Sequence, residues 1–154
     1  MDLEQIALAY AGKVQQKNES MVLLRAAVEL GCKDAAGVWS TSELKRFGQL
    51  LSRRLPLEQQ DNLSALEACM NSHLVSHALG WVRLSDLAES LSIIHAGFPS
   101  ELLMEDEKGE FWSFILIGLY EAWFKSVGAP DDLSVTQCGD ALPEMQSVTL
   151  SLAK

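Results

Sequence analysis

EFWSFILIGLYEAWFKSVGAP, residues Glu110 to Pro130, is apolar on nearly every side of a helix, yet it belongs to an acidic chain. A membrane-spanning helix needs about twenty predominantly apolar residues. Here the run is shorter, and Glu121 and Lys125 interrupt it in the i, i+4 orientation that favours an ion pair. It is not a span. Trp112, Leu116, Leu119 and Trp123 share one helical face, and Phe114, Ile117, Tyr120 and Phe124 share another. A helix apolar on most sides is buried on most sides. In a chain of 154 residues a sheet covers one face, and a second copy of the chain is the natural cover for the other. Trp112, Leu116, Tyr120, Trp123 and Phe124 are therefore the expected oligomer interface. The competing expectation is a central helix enclosed wholly by its own chain.

Upstream, the sequence reads as helices. DLEQIALAYAGKVQQ opens at a cap, Asp2, with Leu3, Ile6 and Tyr10 in helical spacing. ESMVLLRAAVELG follows, stopped by Gly31 as a left-handed C-cap would stop it. STSELKRFGQLLSRRL opens with a capping box, Ser40 to Glu43, and ends before Pro56. SALEACMNSHLVSHALG repeats the device with Ser64 and Glu67 and ends at Gly80. At Trp81 the period changes to that of strands: WVRLSDL and SLSIIHA, joined by a polar turn, and after the apolar helix DLSVTQC and MQSVTLSLA. The expected fold is α+β, one domain over residues 1–154, with N-terminal helices, a small antiparallel four-stranded sheet and one long central helix.

Composition excludes several classes. Twelve Lys and Arg face 21 Asp and Glu, a formal net charge of -9, so phosphate-backbone binding to nucleic acid has no basic footprint to rest on. A neutral ligand such as a sugar chain stays electrostatically open. Three cysteines, Cys32, Cys69 and Cys138, form no CxxC pair, which fits free thiols in a reducing compartment. The acidic, interrupted N-terminus does not read as a signal peptide, and the expected location is cytoplasmic. A mean hydropathy of +0.08 favours oligomerisation.

Among candidate chemical sites, Cys69, His73 and His77 recur every fourth residue along one helix, a spacing that zinc ligands use. No metalloprotease Glu follows His73, and solvent-facing or interface histidines are the stronger reading. His95, ending a strand, reads as a buried imidazole bonded to backbone. Trp39 alone of the four tryptophans lies in a loop and looks free for a ligand. The basic positions Lys45, Arg46, Arg53 and Arg54 form a solvated face or meet acidic loops of a neighbouring copy. With no nucleophile elbow, P-loop or dinucleotide fingerprint, the residues point to a non-enzymatic binding or scaffold protein that needs no cofactor.

LEACMNSHLVSHALGWVRL, SLSIIHAGFP and FWSFILIGLYEAWFKSVGAPDDLSV, with LLSRRLPL upstream, resemble the bacterial cellulose synthase D-subunit family (cellulose synthase operon protein D). The resemblance rests on Gly80-Trp81, Ile94-His95, Pro99, Gly118-Leu119-Tyr120, Trp123 and Gly128-Ala129, in order from about Leu50 to Thr136. It implies a non-catalytic accessory of cellulose secretion that assembles as dimers and an octameric ring linked to guiding glucan chains. It also implies a proline-rich partner protein and the cellulose synthase complex beside the inner membrane, with the periplasm as the older alternative location. The implied passage lining is N-terminal, at the positions of Leu3, Gln5, Ile6 and Tyr10. The rival expectation is an α+β small-molecule-binding domain in an oligomeric adaptor, with an apolar pocket between sheet and helices.

Overall fold

The computed structural model describes residues 5–6, 26–98, 110–139 and 146–154. Gln5 and Ile6 are helical, and the first longer described element is α1 (26–32). It is followed by α2 (Thr41–Arg54), α3 (Leu63–Ser76), β1 (Trp81–Asp86), β2 (Leu91–Ala96), α4 (Glu110–Ser126), β3 (Ser134–Gln137) and β4 (Ser147–Ala153). The strands form one antiparallel sheet in the order β1-β2-β4-β3, two hairpins joined through β2 and β4. The α+β expectation holds.

Local chemistry sets the boundaries, with four departures from the sequence reading. Ser40 caps α2, accepting from the Glu43 N–H at 3.3 Å. Its own N–H goes to Cys32 O at 2.7 Å, so only half of the capping box forms. The cap of α3 is Asn62, not Ser64: Asn62 Oδ1 accepts from the Ala65 N–H at 2.9 Å. That earlier start turns Glu67 toward the sheet. Helix α3 also ends before Gly80: Ala78, at φ +55°, takes the left-handed position, and the Leu79 N–H closes on Leu74 O at 2.9 Å. Gly31 lies inside α1, which runs on through Cys32. The chain reverses instead at Asp34, whose Oδ1 accepts from the Ala36 and Val38 N–H groups at 2.9 Å.

The long apolar helix is the centre of the core. Trp112, Leu116, Tyr120, Trp123 and Phe124 are each no more than 4 % exposed within a single chain. This corrects the expectation that they form an interface between copies; enclosure by the chain itself is what occurs. The physical reason is α2. A Cβ added at Gly48 would collide with the Ile115 carbonyl and lie 2.6 Å from Leu119 N, and one at Gly118 would collide with the Lys45 carbonyl. Glycine on both sides brings the two helices into backbone contact, and α2 covers the face left over by β3 and β4. Trp123 Nε1–H then donates to Leu55 O at 2.7 Å, fixing α4 to the end of α2. The inward row of the sheet, Val82, Leu84, Ile93, Val148, Leu150 and Val135, completes the core from the other side.

Helix side chains take up backbone groups on both sheet edges. On β1, the Val82 N–H donates to Asn71 Oδ1 at 2.7 Å, and Asn71 Nδ2–H donates to Val82 O at 2.9 Å. One turn earlier on α3, Glu67 Oε2 accepts from the Leu84 N–H at 2.7 Å. On β3, the Val135 N–H points to Glu121 Oε2 at 3.4 Å. Some of the groups that would template pairing with another chain are thus satisfied internally.

Gly48→Ala and Gly118→Ala are each expected to lower the unfolding free energy by roughly 3 kcal/mol or more, because backbone cannot yield as a side-chain tip does. The helix-propensity gain of about 1 kcal/mol is too small to offset this. Urea unfolding checks it; an unchanged midpoint would mean the helices are not in backbone contact. Asn71→Ala is expected to cost about 1–3 kcal/mol for each β1 group left unpaired, and to raise turbidity on warming as the edge opens.

Candidate functional site

Two places concentrate polar chemistry. The first is buried. His95, fully enclosed on β2, donates from Nε2 to Leu79 O at 2.8 Å, since a carbonyl only accepts. Its Nδ1 is therefore the acceptor for the Tyr120 O–H on α4, at 2.6 Å. The chain of bonds ties α4, β2 and the α3–β1 connection through one neutral imidazole. Gly80 makes room for it: at φ +105° it lies where a Cβ would be 2.5 Å from His95 Nε2. Burial pulls the His95 pKa down to about 4, against a smaller upward pull from the Leu79 carbonyl, and burial also raises that of Tyr120 well above its ordinary value. Neither ring reaches solvent, so the pair holds structure.

The second place is a surface groove of about 550 Å³ between the C-terminal halves of α2 and α4. The groove lies past the Gly48–Gly118 contact, between the same two helices. Leu57 and Ala122 give it an apolar lining, Arg53 and Lys125 positive charge. Lys125 pairs with Glu121 at 3.6 Å, as the sequence spacing predicts. Arg53 meets no carboxylate among the described residues. The groove lies between helices at the surface, not between sheet and helices as the small-molecule expectation places its pocket. Its signal in the sequence was Gly48, a glycine in mid-helix, which marks a close approach.

The remaining candidates fall as follows. His73 donates from Nε2 to Pro56 O at 2.9 Å, and His77 from Nδ1 to His73 O at 2.9 Å. The structure does not bring Cys69, His73 and His77 together as ligands, and among the described residues no group of three His, Cys, Asp or Glu is arranged to hold a metal ion. Trp39 is not free for a ligand: it stacks on Phe111 at 4.8 Å, and Lys33 Nζ sits 4.5 Å from its ring centroid. Leu3 and Tyr10 lie outside the described residues, Gln5 is exposed, and Ile6 packs half-buried beside Trp81, Ala96 and Val75. Cys32, Cys69 and Cys138 are free thiols; burial, then the Glu43 charge, raises the pKa of Cys32. No helix among the described residues is long and apolar enough to cross a membrane.

A protein-family model described as the D subunit of cellulose synthase matches residues 6–151. The chain belongs to this family. A search of curated proteins returned no match. Membership gives the protein a role in cellulose synthesis, as part of the synthase machinery. It also extends well beyond the stretch from Leu50 to Thr136 on which the resemblance rests, taking in α1 and β4. In this member of the D-subunit family, then, the groups with perturbed protonation among the described residues are core groups, and the groove is an accessible polar feature.

Folding lowers the His95 pKa from 6.5 to about 4, so as pH falls the unfolded chain takes up the proton first. The contribution is whole above pH 6.5, declines as pH falls toward 4, and totals about 3 kcal/mol. The difference in unfolding free energy between wild type and His95→Gln is expected to change by this amount across that window, wild type losing stability toward acid while the variant does not. Parallel curves would mean that His95 titrates freely in the fold.

Proposed function

We propose that this protein is a non-catalytic, self-assembling scaffold of a bacterial cellulose secretion system. Copies associate as dimers and close into an octameric ring that organises synthase complexes and guides glucan chains. The ring lies in the cytoplasm beside the inner membrane and engages a proline-rich partner protein and the synthase. The observation that carries this reading is where the polar groups go. His95, Tyr120, Trp123, Asn71 and Glu67 are all committed to the chain's own framework, alongside membership of the cellulose synthase D-subunit family. That is architecture held rigid, not an acid–base pair facing a substrate. The N-terminal positions Leu3, Gln5, Ile6 and Tyr10 are the proposed passage lining.

Light scattering on the purified protein is expected to give about 135 kDa, eight copies of the 16.9 kDa chain. A monomer at all concentrations overturns self-assembly. Glucan guidance is tested separately by calorimetry with soluble cello-oligosaccharides, where heat of binding is expected and its absence removes the guiding role but not the scaffold.

A further inference from the structure

Helix side chains occupy part of both sheet edges, and elsewhere on the surface two unlike features complement each other. The β1–β2 turn, closed by the Leu87 N–H to Ser90 O at 2.8 Å, presents Leu87 at 54 % exposure. Asp86 and Glu89, both exposed, flank it, and neither has an ion-pair partner among the described residues. The α2/α4 groove offers the converse: an apolar lining at Leu57 and Ala122 between Arg53, which meets no carboxylate among the described residues, and the Lys125–Glu121 pair. At a net charge of -9 two copies repel on average, so a specific contact must juxtapose opposite local charges.

We infer that copies of this chain join head to tail, the β1–β2 turn of one inserting Leu87 into the α2/α4 groove of the next. Asp86 and Glu89 then face Arg53 and Lys125. The contact rests on the self-assembly proposed above and names its surfaces. Because turn and groove are different patches, the contact is heterologous: repeated by a rotation that closes it makes a ring, and otherwise a filament. The aromatic face of α4 takes no part.

The test is light scattering over a concentration series on wild type, Leu87→Asp, Arg53→Glu, and Arg53→Glu combined with Asp86→Lys and Glu89→Lys. All substituted side chains are exposed, and thermal melts matching wild type verify that each variant folds. Each single substitution is expected to move the assembly midpoint about tenfold or more upward in concentration, and the charge-exchanged combination to recover most of that shift. Wild type assembling while Leu87→Asp and Arg53→Glu assemble equally well overturns the turn-in-groove contact and leaves self-assembly standing. A wild type that stays at 16.9 kDa overturns self-assembly itself, and this contact with it.

Discussion

Two helices can approach to backbone contact only where neither carries a side chain at the crossing, and α2 and α4 meet in this way at Gly48 and Gly118. Much else follows from it. Brought so close, α2 covers the face of α4 that the sheet does not reach, and an aromatic helix that would otherwise need a second copy is enclosed by its own chain. The same closeness places Leu55 O within reach of the Trp123 indole N–H. Farther along the same two helices lies the groove that Arg53 and Lys125 flank.

A second constraint is the cost of burying polar groups without partners. The fold meets much of it with side chains drawn from distant elements, though Trp112 Nε1 stays buried without a partner among the described residues. Asn71 and Glu67, one turn apart on α3, take up Val82 and Leu84 backbone groups on the outer edge of β1, while Glu121 on α4 serves Val135 on β3. His95 and Tyr120 satisfy each other and the Leu79 carbonyl in the interior. These bonds tie the sheet edges and the core to the helices around them, and on each edge they occupy groups that would otherwise invite pairing with another chain. The acid-sensitive group is internal, so its protonation weakens the fold and not a contact surface.

The interface expected on α4 and the free Trp39 fail for a common reason. Apolar and aromatic residues announce that they will be covered, but sequence periodicity does not say by what. Phe111 covers Trp39, and α2 covers α4. The metal stripe fails similarly: Cys69, His73 and His77 share a helix, but Pro56 O takes one ring and His73 O the other. The cap shifted by two residues to Asn62 because a competing cap stood just upstream, and this local change redirected Glu67 from the helix end to the sheet edge.

By itself the sequence determined the helical period of residues 110–126, the change to strand alternation at Trp81, the antiparallel hairpins and the Glu121–Lys125 pair, all of which depend on neighbours within a few residues. It also carried the family, through motifs in a fixed order. The tertiary structure alone decided which element covers the central helix, where the edge hydrogen bonds end, and that burial holds His95 neutral while it accepts from Tyr120. These are contacts between residues far apart in the chain, and they depend on how closely two backbones approach, which periodicity does not encode.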